Sequence, residues 1–577
     1  EYRCKFGSFM DGVKWQLKED DAEGISIITS NGNLCIETPG TNIILQAYLP
    51  NKEYGVKVIA DITDKKSDVY INGILRAENV AFKNEVLSLN RFEIQTGIQA
   101  TGDLYFSPVK IYKGYIINER FIPTTLNCIP QDWQVNTLGG TANVTEMLSS
   151  SRPDVYSMKL VDISDSFDVS FAKSFGAKAG EFIYEYKFIL PAKLDGITAE
   201  IKSGNSSAVK IVTANGKLCY MKGDGSAVPF YDYLGNLWYH IKIKMNTSDG
   251  TADIYLNGKL QVSGISFVTN VTHIDNIIFY TPVIGQGVLW VDDILLYERL
   301  RLPDDYVKPP VAVNSPDYIV GIQNCSLWRE GRHLGWDKIN GYPSRVPYLG
   351  YYDEGSSEVA DWEIKWLVEH GINFEMYTWL RPSGGSGLPV KEPDLGYGLH
   401  EGFFNAEYSN QMKFTIMLEN WSSNIGGSAD FRNNIIPYII EYYFKDPRYL
   451  KIDNKPVVSI YSFDKLKAAF GGTVSGVKAE MDYLRNACRS AGFDGAVILT
   501  SYFGTDTQQL KDIKSGGMDC IYSYTCEVTG VDISTQKLLM LKQKEKQADS
   551  AVVDSIATIS VGRDNSAWNG TAGSFNT

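Results

Sequence analysis

Along the first three hundred residues, apolar and polar side chains alternate in short runs broken by Asn-Gly and Asp-Gly. That period of two belongs to strands with one face in a core. Tyr255-Leu-Asn257-Gly258-Lys-Leu260 reads as a hairpin, because Asn-Gly supplies the positive φ angles of a two-residue type I′ turn. Turn signals every 8–12 residues predict antiparallel sandwiches. After Asp317 the pattern changes, and short apolar runs alternate with longer helical stretches. Tyr318–Ile322, Gly371–Trp379, Lys413–Trp421, Pro456–Tyr461, Gly495–Tyr502, Asp519–Tyr524 and Ile556–Val561 are the predicted strands. Ser357–His370 is a predicted helix, with Val359, Ile364, Leu367 and Val368 on one stripe. Successive βα units of this kind predict a (β/α)8 barrel, whose chemistry lies at the carboxyl ends of its strands.

The sandwich region is duplicated. Residues 54–59 and 68–75 reappear as 239–244 and 253–260, and 109–112 as 294–297, at a constant offset of 185. Upstream, Asn31–Cys35 returns as Asn215–Cys219 at an offset of 184. Two copies of one module follow. Tyr184–Phe188 aligns with Glu1–Phe6, and the first copy is shorter at its start. The chain is therefore expected to begin inside its first module. The expected organisation is a first β-sandwich over 1–118, a second over 125–300, a Pro-containing linker over 301–316 and the barrel over 317–577.

Composition narrows the partners. A net charge of −13 without a dense Lys/Arg cluster argues against nucleic acid. No apolar run reaches the ~18 residues of a membrane span. The eight cysteines form no C-x-x-C pair and lie far from the histidines, which argues against zinc. Aromatic residues reach 12%, with 35 Tyr and 11 Trp. Flat rings with a polar tip suit the faces of sugars.

Polar and aromatic residues gather at the predicted strand ends. They are Tyr351, Tyr352 and Asp353; Tyr377 and Trp379; Glu419, Asn420 and Trp421; Tyr461; Tyr502; Tyr522 and Tyr524; and Arg563 and Asp564. Glu419 is the leading carboxylate, with Asp353, Glu354 and Asp564 behind it, and Arg563 is placed to orient an acid. No dinucleotide fingerprint, phosphate loop or serine-nucleophile elbow stands in the required context.

The run from Trp238 through "D-I-Y-L-N-G-K-L" to Tyr297 resembles the laminin-G/concanavalin-A-like jelly rolls. Such modules bind glycans or proteins, or act as spacers, and the resemblance leaves a Ca2+ ion open for a sandwich; no cofactor is required. From Asp317 onward the chain resembles the glycoside hydrolase family 99-like group, related to endo-α-1,2-mannosidases. "V-P-Y-L-G-Y-Y-D" (Val346–Asp353), "D-W-E-I-K-W-L-V-E-H-G-I-N-F" (Asp361–Phe374), "F-T-I-M-L-E-N-W" (Phe414–Trp421) and "I-S-V-G-R-D-N" (Ile559–Asn565) carry it. The resemblance implies a secreted, endo-acting hydrolase of α-linked, mannan-like glycan. It also implies a Glu-x-x-Glu pair on a final strand beyond Thr577. A non-catalytic glycan-binding or surface-assembly protein, and a glycan-synthesis protein, stand as alternatives.

Overall fold

Asn257 and Gly258 both take positive φ, 51° and 75°, in the hairpin between Thr251–Leu256 and Lys259–Ser266, as the sequence requires. The same logic repeats across the duplication. Asn31-Gly32 and Asn215-Gly216 are positive-φ turns. Asp11 accepts from the backbone N–H of the first pair, and Asp195 from the second. The computed structural model describes residues 2–558 except 63, 73, 98–99, 107–108, 110–113, 122–125, 131, 147–155, 300–306, 314–317, 330–335, 337–341, 343–344, 346, 350–351, 383, 422–424, 525–532 and 550–551. The chain divides into two units, Glu1–Gly114 with Ser344–Tyr351, and Tyr115–Pro343 with Tyr352–Thr577.

In the first unit two five-stranded antiparallel sheets face each other. Tyr2–Phe6, Glu53–Asp61, Lys66–Ile71 and Ile74–Ala81 belong to one sheet, and Lys14–Glu19, Ala22–Ser30 and Asn33–Glu37 to the other. Tyr2, Phe6, Trp15, Ile27, Leu34, Val56 and Ile71 fill the space between them. Register corrects the expected alignment of the copies. Tyr2 pairs with Val56 and Tyr186 with Ile241, the duplicate of Val56. Tyr186, not Tyr184, is therefore the counterpart of Tyr2.

The second unit begins with the second sandwich. Tyr115–Glu119 pairs antiparallel with Gly287–Glu298. Along Glu181–Ile189, Phe182, Tyr184, Tyr186 and Phe188 enter the core, and Glu185 and Lys187 face outward. A curled parallel sheet with helices follows. Its seven parallel strands among the described residues run in order Gly321–Asn324, Phe374–Leu380, Lys413–Glu419, Lys455–Ile460, Val497–Ser501, Cys520–Tyr522 and Asp554–Ser555. The helix Ser357–Glu369 lies between the first two of these in sequence and buries Ala360, Asp361, Ile364 and Val368.

The outward face of the second sandwich is covered by the parallel-sheet region. Lys187 pairs with Asp293 at 3.0 Å and with Glu392, and Lys391 lies 2.5 Å from Asp292 and 3.3 Å from Asp293. Lys242 donates to Asn405 Oδ1, Lys259 to the Glu441 carbonyl and Tyr442 to the Trp238 carbonyl, at 2.6, 2.8 and 3.0 Å. Gly258 sits so close to Phe404 that a Cβ would fall 2.5 Å from the ring. Its lack of a side chain thus serves both the turn and the docking. One continuous apolar cluster runs from the sandwich into the parallel-sheet region. Within the expected linker, Val307 is buried and its carbonyl accepts from Tyr408 at 2.9 Å.

Candidate active site

Side chains alternate across a strand, so each parallel strand sends one set into the curled interior and one set toward the helices. Met376, Met417, Val457, Leu499 and Tyr522 form the interior cluster, with Tyr461 against it. Gln323 and the Tyr522 hydroxyl each lie 3.1 Å from the Met417 sulfur, and Ser459 is 2.8 Å from that hydroxyl. Glu419, two residues beyond Met417, shares this interior face and ends its strand with 9% exposure. Its Oε1 accepts from the Trp421 backbone N–H at 3.0 Å.

A second buried carboxyl group lies in the loop after the first parallel strand. Glu354 is 4% exposed, and its Oε2 accepts from the Trp328 N–H at 2.8 Å. Burial, with the Glu375 charge behind it, pushes the Glu354 carboxyl up to about 8. Cys325, immediately past the strand Gly321–Asn324, feels the charges of both Glu354 and Glu419, so both lie in its neighbourhood. Its own thiol is pushed up to about 11, chiefly by burial.

Aromatic and ionic contacts frame this end of the sheet. Trp328 stacks on Trp336 at 4.4 Å between centroids, and Tyr352 meets Trp336 edge-on at 5.1 Å. Arg329 bonds Asp353 at 2.8 Å and Glu401 in bidentate fashion at 2.7 and 3.1 Å, with its guanidinium 4.3 Å above the Tyr397 ring. Asp353 therefore orders the loop through Arg329 and through the Gly355 N–H, 2.8 Å away. Trp328 and Arg329 escaped the sequence reading, although they follow a parallel strand as closely as the residues it selected.

Several selected residues fall elsewhere. Tyr377 and Trp379 occupy the opposite face from Met376, because the pleat turns alternate residues outward. Tyr377 donates to Glu375 at 2.8 Å, and Trp379 is 1% exposed beside Tyr438. Tyr502 likewise packs against the outer core, not the interior cluster. Asn420 clamps the next turn: its Nδ2 donates to the Ser462 carbonyl and its Oδ1 accepts from the Ser462 N–H, both at 2.8 Å. Tyr522 stands in the interior, and Tyr461 meets Tyr524 edge-on at 5.1 Å. Trp421 is 62% exposed with the Lys465 ammonium 4.7 Å above its ring. Tyr351, Arg563 and Asp564 lie outside the described residues. Among the described residues no three His, Cys, Asp or Glu side chains converge as metal ligands.

Behind Glu354 lies a buried acid cluster. Glu375 accepts from Asn324 at 2.6 Å and from Tyr377, and burial raises its carboxyl. Glu363 is raised well above the ordinary value by burial and by the charges of Glu375 and Glu354. In each case the folded state holds the proton more tightly than the unfolded chain does. Stability is therefore full below the ordinary glutamate value near 4.5 and falls as pH rises toward 8. Buried His400 acts oppositely, being pushed down to about 3, but its contribution is complete above 6.5. Lys244 and Lys259, both lowered to about 8 by burial, add stability only above that value. The melting temperature is expected to fall by at least ~3 °C between pH 6.5 and 8. Glu375→Gln is expected to flatten that slope. A flat or rising profile of the parent, followed by circular dichroism, would contradict the cluster's role.

Residues 422–569 match the family described as Glycosyltransferase WbsX. Among solved structures, an endo-α-mannosidase of family GH99 from Bacteroides thetaiotaomicron aligns at 17% identity, with 44% of this chain, 74% of that chain and a TM-score of 0.31. A sialidase aligns at 15% identity over 48% of this chain and 30% of its own, with a TM-score of 0.27. Cellulose-induced protein Cip1 aligns at 17% over 29% and 91%, with 0.24. Scores this low carry no functional argument. No curated protein matches the sequence.

Proposed function

We propose that the chain is a carbohydrate-active enzyme, a glycoside hydrolase acting on α-linked, mannan-like glycan. The curled sheet is read as seven strands of a (β/α)8 barrel, and the sandwiches as jelly rolls exported with it. The observation that carries this reading is the pair Glu354 and Glu419, both near Cys325 at the carboxyl end of the sheet. Glycosidic cleavage needs a protonated acid for the leaving oxygen and a second carboxyl function for the sugar. Glu354, buried and held near 8, is protonated at neutral pH and suits the first role. Glu419 suits the second. Exposed Trp421 and Tyr524 offer rings to the sugar beside them.

The name of the family matched by residues 422–569 supports a second reading, transfer of the sugar to an acceptor hydroxyl in place of water. A screen of the chain against labelled α-mannan oligosaccharides separates these readings. Shorter products establish hydrolysis, and longer ones establish transfer. Binding without any new product would leave a non-catalytic glycan binder and overturn the proposal. No helix among the described residues is long and apolar enough to cross a membrane.

A further inference from the structure

We infer that a cleft on the second sandwich, between the Lys222–Ser226 turn and the distal half of strand Lys259–Ser266, binds a neutral sugar unit. It has a volume of about 460 Å³, within the ~300–1,000 Å³ of small-ligand clefts. Tyr220, Val262 and buried Ile265 give it an apolar side, and Lys222, Asp224 and Ser266 a polar rim. Among the described residues the Tyr220 hydroxyl has no hydrogen-bond partner. One lysine and one aspartate leave the rim without net charge, which suits a ligand of hydroxyl groups better than an anion.

Both walls are set before any ligand arrives. Lys222 N donates to the Ser226 carbonyl at 2.9 Å and Gly225 N to the Lys222 carbonyl at 3.0 Å. Asp224 Oδ1 accepts from the Ser226 N–H and hydroxyl at 2.9 and 2.6 Å. Opposite, Asp253 Oδ1 accepts from Ser263 Oγ and Gly264 N at 2.7 and 2.8 Å. A preset cleft loses less conformational entropy on binding. Lys259, which bonds Glu441, lies three to seven residues back along the strand, about 10–23 Å at ~3.3 Å per residue.

The duplication provides an internal control. Ile27 pairs with Ile36 as Ile211 pairs with Tyr220, so Tyr220 replaces a fully buried isoleucine. The first copy's turn closes from Thr38 to Thr41, one residue shorter, and carries Thr-Pro-Gly where the second has Lys-Gly-Asp. Ala77 and Ala81 stand where the second copy has Val262 and Ser266. The framework is shared, the Tyr220 ring, Lys222, Asp224 and the Ser266 hydroxyl belong to the second copy, and the first copy places Glu78 where the second has Ser263.

The sugar class rests on the reading of the parallel-sheet region as carbohydrate-active, so the test separates the two. Calorimetric titration of the chain with α-linked mannotriose is expected to show a site that survives Glu419→Gln. Tyr220→Ile with Asp224→Gly, the first copy's residues, is expected to weaken that site at least tenfold. The same double variant should keep the parent's melting temperature and its turnover of a short mannoside. Unchanged binding by the double variant, or no site surviving Glu419→Gln, would overturn the inference. Binding through Tyr220 without any turnover would sink the hydrolase reading and leave the cleft standing.

Discussion

Replacing Lys391 by methionine is expected to destabilise the second unit by about 3–5 kcal/mol at pH 8, the cost of stranding a buried charge. Asp292 is fully buried and bonded only to Lys391, to Ser157 and to the N–H of Asp293 among the described contacts. Asp293 stands next to it, and the two share Lys391. Burial and the Asp293 charge already push the Asp292 carboxyl up to about 7 in the presence of the lysine. Without the lysine, Asp292 takes up a proton more readily, so the loss should shrink toward pH 5. Urea unfolding followed by tryptophan fluorescence measures both quantities. Asp292→Asn in the Lys391→Met background should recover part of the loss, because it removes the stranded charge. A loss below ~1 kcal/mol at pH 8 would mean that water reaches this junction and that the sandwich is only loosely seated.

Turnover should depend on Glu419 more than on any other described carboxyl group of the interior face. Glu419→Gln keeps the shape and the bond from the Trp421 N–H while removing the acid–base function. We expect kcat/KM on α-mannan oligosaccharides to fall by about 10²–10⁴-fold, the range for loss of general acid–base catalysis. The fall should lie in kcat, because a group acting only in the transition state leaves KM little changed. Trp421→Ala should do the reverse, raising KM with a smaller effect on kcat. If Glu419→Gln raises only KM, Glu419 holds the sugar without joining the reaction. If it changes neither, the interior face is not the reacting centre.

The reach of the sequence depended on the range of the interaction involved. Asn257-Gly258 specified its hairpin, since the positive φ angles are a property of those two residues. The duplication was legible because both copies retain the same turns and core positions. The strand-end rule selected Glu419, Tyr461, Tyr522 and Tyr524, which the structure puts on or beside the interior face. It also selected Tyr377 and Trp379, since a strand buried on both faces gives no clean alternation from which to read direction. Asn420 looked like a sugar contact until the next turn supplied the Ser462 backbone for both ends of its amide.

What the sequence alone determined was therefore local: turns, strand periods, the repeat and the change from antiparallel to βα pattern at Asp317. Only the tertiary structure decided which carboxyl groups come within electrostatic reach of Cys325. Glu354 and Glu419 are separated by 65 positions, and their shared neighbourhood around Cys325 depends on the register of the first three parallel strands. The seat of the second sandwich was equally hidden. Lys187, Asp292 and Asp293 read as a solvated outer face by period alone, and their partners Lys391 and Glu392 lie about a hundred or more residues further on. Charge sequestered by folding leaves no local trace, because the cost of burying it is met by partners that the chain brings together only when the whole unit closes.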